Sequence, residues 1–89
     1  MRDKPAKKSD VRDYLTQLLV EVGKIPLERV VAGARLDASL KMESIAFIEL
    51  QVALEERFDI EIDPLEVLEL NEFGAIVDYL HGQILQGAA

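Results

Sequence analysis

Cysteine is absent from the chain. That excludes disulfides, thiolate metal sites and any thiol chemistry by the protein's own side chains. Small secreted domains usually offset a thin core with disulfides, so the expected compartment is the cytoplasm. No apolar run is long enough to span a bilayer. The opening residues Met1-Arg2-Asp3-Lys4-Pro5-Ala6-Lys7-Lys8 are charged and lead into an amphipathic segment, not the apolar stretch of a signal peptide. Internal repeats and low-complexity tracts are also missing.

Several chemistries fall away for want of partners. Gly23-Lys24 lacks the preceding glycine and the following hydroxyl of a phosphate-binding loop. His81 is the single histidine, with no cysteine or second histidine to share a metal, and reads as a surface or helix-end residue. Asp59-x-Glu61-x-Asp63 opens like a calcium loop, but such a loop needs glycine at its sixth position and glutamate at its twelfth. Those positions hold Pro64 and Leu70. Ser44, His81 and the carboxylates would supply the members of a hydrolytic triad, yet nothing like a nucleophile elbow surrounds Ser44. With 89 residues there is little material for an enclosed pocket. The chain is expected to carry neither a metal nor a catalytic residue, and not to be an enzyme.

Positive charge nearly vanishes after residue 42. Residues 43–89 hold eleven acidic side chains against Arg57 alone, a net of −10, whereas residues 1–42 hold nine basic and six acidic ones, a net of +3. Together they give the chain its −7. A half this acidic repels nucleic acid and anionic membranes and steers towards basic protein surfaces, although solubility alone would account for the same charge.

This length allows one domain at most, burying about 60% of its unfolded surface. The expected division is a flexible tail over 1–8, a folded domain over 9–85 and a short tail over 86–89. A monomer is expected.

Hydrophobic periodicity predicts helices. Val11, Tyr14, Leu15, Leu18, Leu19 and Val22 form a stripe at helical spacing, with Ser9 or Asp10 as cap and Gly23 before Ile25-Pro26 as its end. Residues 24–42 keep no period and read as a long ordered loop with one helical turn near Leu27–Val31; loops of this length are often functional. A second helix is predicted from Ser44 to about Arg57 with two apolar stripes. Phe47, Leu50, Leu54 and Phe58 make one, and Ile45, Ile48 and Val52 the other. A core-facing helix needs one stripe. The second is expected to be at least partly exposed and, flanked by Glu49, Glu55 and Glu56, to serve for docking. Asp59–Ile62 alternates, but four residues without a partner make no sheet. Asp63 caps and Pro64 opens a short helix holding Leu65, Val67, Leu68 and Leu70. Asn71 is the expected cap of a last helix with the stripe Phe73, Ile76, Val77, Leu80 and Ile84. The predicted fold is all-α, a small four-helix bundle of three longer helices and one short one, with a long loop between the first and second.

Around residue 44 the chain reads Leu36-Asp37-Ala38-Ser39-Leu40-Lys41-Met42-Glu43-Ser44-Ile45-Ala46-Phe47-Ile48-Glu49-Leu50. An acidic residue, a serine and a branched apolar residue open an amphipathic helix after a long loop. This resembles the acyl carrier protein family, whose Asp-Ser-Leu type motif starts its second helix. The segments Ala53-Leu54-Glu55-Glu56-Arg57-Phe58-Asp59-Ile60-Glu61-Ile62 and Leu70-Asn71-Glu72-Phe73 … Asp78-Tyr79-Leu80 are similar to later parts of that family, so the likeness runs from about residue 10 to 84. It implies a 4′-phosphopantetheine arm on Ser44, attached by a phosphopantetheinyl transferase and carrying acyl cargo as a thioester. The arm would supply the thiol the chain lacks. The implied partners are acyl-loading and acyl-transferring enzymes with basic docking surfaces. Ile45, Ile48, Glu49, Val52, Glu55 and Glu56 would meet them, and Leu54, Ile62, Val67, Leu70 and Ile76 would shelter an acyl chain. A serine at a helix start suits a phosphodiester, though a plain N-cap uses the same geometry.

Three positions depart from the family pattern. Glu43 stands where aspartate is usual, Ser39 where an acid is common, and Lys41 where glycine is frequent. Lys41 would either pair with the arm's phosphate or stay solvated. These departures suggest a specialised, stand-alone carrier for fatty-acid, polyketide or modified-lipid synthesis. An aminoacyl or peptidyl carrier and an unmodified helical docking module remain alternatives, the acidic second helix favouring acyl cargo.

Overall fold

The helical stripes become four α-helices in the computed structural model, which describes residues 7–36 and 44–87. They are α1 (Lys8–Glu21), α2 (Ser44–Phe58), α3 (Pro64–Leu70) and α4 (Phe73–Gly87), with a 3₁₀ turn at Leu27–Arg29 between the first two. α1 packs against α4 and α2, and α3 against α4. No strand occurs among the described residues beyond an isolated bridge between Arg35 and Glu72. The bundle is the all-α arrangement expected, with its short third helix and long first connection.

Each stripe goes where its period sends it. Val11, Leu15, Leu18 and Leu19 of α1, Leu50 and Leu54 of α2, and Phe73, Ile76, Val77, Leu80 and Ile84 of α4 are buried in one core. Ile25, Ala34 and Leu36 join them from the first connection. Tyr14 and Phe58 meet edge-on at 5.6 Å, and the Arg57 guanidinium lies 5.5 Å and 5.3 Å from their respective ring centres. The sole cation of the acidic half thus ties the end of α2 to α1. Lys8 pairs with Asp78 on α4 at the surface, a contact worth little in water.

The helix ends differ in detail from expectation. α1 starts at Lys8, ahead of the expected caps, and Asp10 acts from within the first turn by accepting the Lys7 N–H at 3.2 Å. Beyond its end the left-handed residue is Lys24 (φ 58°), not Gly23. Asp59 (φ 55°) ends α2 in a Schellman-type turn, the Ile60 N–H donating to the Glu55 carbonyl. Asp63 caps α3 as expected, accepting the Leu65 N–H at 3.0 Å, with Pro64 following it. Asn71 is corrected. It is the left-handed residue (φ 60°) closing α3 rather than the cap of α4, and its N–H donates to the Val67 carbonyl. Two residues, Asn71 and Glu72, join α3 to α4, and the left-handed conformation of Asn71 turns the chain there.

The first connection returns to this corner. Leu36 donates to the Asn71 carbonyl, Phe73 to Ala34 and Gly74 to Ala32. The last approach is tight and favours glycine, because a Cβ at Gly74 would stand 3.1 Å from the Ala32 carbonyl oxygen. α4's first N–H groups are satisfied by the connection that leads towards α2.

Candidate functional site

Ser44 is the first residue of α2. A helix start offers backbone N–H groups without intrahelical partners and the positive end of the helix dipole. The expected roles of Glu43 and Lys41, like the departure at Ser39, lie outside the described residues.

From Ser44 onwards the two stripes of α2 separate as helical geometry demands. Leu50 and Leu54 are buried and Phe47 and Phe58 half-buried, while Ile45, Ile48 and Val52 are 71%, 58% and 47% exposed. That second stripe is therefore solvent-facing, beginning beside Ser44 and running along the helix. Glu49 and Glu56 are exposed around it. Glu55, expected beside them, is half-buried and accepts the Ile62 N–H at 3.0 Å. α3 adds Leu65 and Leu68, 69% and 53% exposed, which sequence reading did not place on the surface. With seven residues, α3 has one buried position, Val67, so its other apolar side chains are left outside.

Behind the exposed stripe lies a small apolar cavity of about 10 Å³. Its walls are Phe47, Leu50, Gln51 and Leu54 from α2, Ile62, Val67 from α3, and Ile76 and Leu80 from α4. Four of the five residues expected around an acyl chain thus converge there. Leu70 does not. As the last residue of α3 it is 38% exposed and faces a separate open groove with Glu66, Glu69, Ala75, Asp78 and Tyr79. At the size of about one water, the cavity is closed to anything larger in this conformation.

The segment between α2 and α3 is held by side chains from two helices. Besides the Glu55 bond, Gln51 donates to the Ile62 carbonyl at 3.5 Å. From α4, Tyr79 accepts the Asp63 N–H through its hydroxyl at 3.1 Å, and Gln83 donates to the Glu61 carbonyl at 3.0 Å. Gln51, Tyr79 and Gln83 were not singled out from the sequence. The available signal was their spacing, since Gln51/Glu55 and Tyr79/Gln83 are each four residues apart and share one helix face. Asp63, the last acid of the calcium-like run, spends one carboxylate oxygen on capping α3.

Comparison with known proteins identifies the family. The family model described as "phosphopantetheine attachment site" matches residues 13–80. The acyl carrier protein of Acidothermus cellulolyticus is 32% identical over 73 residues, covering 82% of this chain and 87% of that protein. The chain belongs to the acyl carrier protein family. The carrier is also 27% identical over 75 residues to the acyl carrier protein of Buchnera aphidicola, covering 84% of the chain and 95% of that protein. A stretch of 5-methylorsellinic acid synthase from Aspergillus terreus is 33% identical over 79 residues, 89% of the carrier and 3% of the synthase. Proteins of this family carry covalently attached 4′-phosphopantetheine and are not catalysts. The cofactor supplies a thiol to a chain that has no cysteine of its own. Among the described residues, no helix is long and apolar enough to cross a membrane.

Proposed function

We propose that the carrier bears its phosphopantetheine arm on Ser44, holds acyl intermediates as thioesters on it, and presents them to enzymes of a dedicated biosynthetic pathway. The observation that carries this is the coincidence of Ser44, at the first position of α2, with the exposed stripe Ile45, Ile48 and Val52 that starts beside it. An N-cap serine alone would not explain apolar side chains left in water along the same helix. A partner that must reach Ser44 does explain them, because docking on the stripe brings its active site to the helix start. Glu49 and Glu56, with Glu55 more weakly because it is committed to Ile62, favour a basic partner surface.

Bound, the arm provides the thiol; the protein does the rest by position. The N-terminal dipole of α2 favours the phosphodiester, with Lys41 and Glu43 as its neighbours in sequence. The partners are a phosphopantetheinyl transferase and acyl-loading and acyl-transferring enzymes. Leu54, Ile62, Val67 and Ile76 shelter the start of an acyl chain once the cavity enlarges. The similar degree of likeness to separate carriers and to a stretch of a synthase supports fatty-acid, polyketide or modified-lipid assembly as the setting. Acyl cargo is tested by offering the pantetheinylated protein both fatty-acyl and aminoacyl loading enzymes. Loading by the fatty-acyl enzymes is expected, and loading with amino acids only would overturn it.

A further inference from the structure

The cavity between α2, α3 and α4 is too small for an acyl chain, and the structure shows what bounds it. Ile62 and Val67 form the side of the cavity contributed by the segment from Ile60 to Leu70. Left-handed residues bound that segment at both ends, Asp59 at φ 55° and Asn71 at φ 60°. Neither is glycine, and each is a natural pivot where one residue sets the chain's direction. Between them the segment buries two side chains, Ile62 and Val67, with Ile60 half-buried, a small apolar anchor against an outward swing. Four side-chain hydrogen bonds also oppose it. Glu55 and Gln51 hold both backbone polar groups of Ile62, while Tyr79 and Gln83 hold Asp63 and Glu61 from the opposite side.

We infer that these four residues form a latch on the cavity and thereby set the length of acyl chain the carrier shelters. The inference rests on the sheltering role proposed above and names its control. A chain longer than the cavity enters only when Ile62 and Val67 move, which requires releasing Ile62 and Asp63 from Glu55 and Tyr79. The latch residues are specificity determinants rather than cargo contacts. Glu55 and Tyr79 act through the backbone they hold.

The test uses the full chain, pantetheinylated with acetyl- or octanoyl-coenzyme A so that loading does not depend on a further enzyme. The variants are Tyr79→Phe, which removes one hydroxyl acceptor and keeps the ring, Glu55→Ala, and Glu55→Gln, which keeps an acceptor oxygen. Loss of a single hydrogen bond is expected to speed amide exchange about fivefold at Asp63 in Tyr79→Phe and at Ile62 in Glu55→Ala. Glu55→Gln is expected to restore protection at Ile62. In the same variants the half-life of the octanoyl thioester towards hydroxylamine, relative to the acetyl thioester, rises by up to about fivefold, as the open fraction rises. An unchanged ratio alongside faster exchange overturns the latch, as does unchanged exchange. The unmodified sequence tells the two failures apart. If its octanoyl thioester outlasts the acetyl one, sheltering stands and only the latch is wrong; if the ratio is one there and in every variant, sheltering is wrong as well.

Discussion

At the residue scale, Asp63 shows how far local chemistry is readable. An acid before proline at a helix start is a cap, and its Oδ1 accepts the Leu65 N–H as that chemistry requires. Asp63→Ala is expected to lower unfolding stability by about 0.5–2 kcal/mol, measured as a shift in urea midpoint at unchanged slope. Other single residues were legible only in part. Asn71 was recognised as a boundary, but whether a boundary residue closes one helix or opens the next depends on how many residues separate them, which periodicity fixes poorly. Lys24 takes the left-handed conformation that Gly23 beside it would adopt with less strain. By charge alone Glu55 belongs with Glu49 and Glu56 in an acidic rim. Its hydrogen bond to Ile62 depends on the loop folding back over α2, a tertiary fact that its neighbours in sequence do not contain.

At the scale of elements, α2 was the most legible because its two stripes make different demands. Leu50 and Leu54 went into the core and Ile45, Ile48 and Val52 stayed outside, as a small bundle with one buried face per helix dictates. Two substitutions separate the roles. Ile48→Glu is expected to leave the thermal midpoint within a few degrees of the parent, since surface changes usually fall within about 0.5 kcal/mol, while weakening association with a phosphopantetheinyl transferase; unfolding of the variant would show that the stripe is core. Leu54→Ala, at a position 1% exposed, is expected to lose about 2–5 kcal/mol by adding to an existing void. Denaturant titration checks it, and a loss below about 1 kcal/mol would mean that the cavity collapses freely. α3 was less legible. Its seven residues hold one buried position, too short a run for a stripe to declare its inward face, so the sequence does not separate Leu70, which faces the outer groove, from Val67, which lines the cavity. The pairs Gln51/Glu55 and Tyr79/Gln83 escaped notice because polar residues at helical spacing ordinarily signify no more than a solvated face.

At the scale of the whole molecule, exposed acids and exposed apolar side chains share the same helices, α2 and α3. Glu49 and Glu56 are exposed on α2 with Ile48 and Val52, and Glu66 and Glu69 on α3 with Leu65 and Leu68, so a partner docking on either helix would meet attraction at a distance and apolar burial on contact. Raising ionic strength to about 1 M, where the Debye length is about 3 Å, is expected to slow association with a basic partner by about tenfold or more and to leave dissociation nearly unchanged. Stopped-flow kinetics measures both, and a salt effect confined to dissociation would argue against steering. The all-helical architecture, the charge asymmetry and the place of Ser44 at a helix start were all visible before any coordinates, because each follows from composition or period. The central claim is that Ser44 bears the arm, and one measurement meets it directly: the intact mass of the protein and of its Ser44→Ala variant after incubation with coenzyme A and a phosphopantetheinyl transferase. The account predicts that the parent gains the mass of a single phosphopantetheine and the variant gains nothing. A parent that stays unmodified with each of several transferases, or a variant that still gains the group, would contradict it.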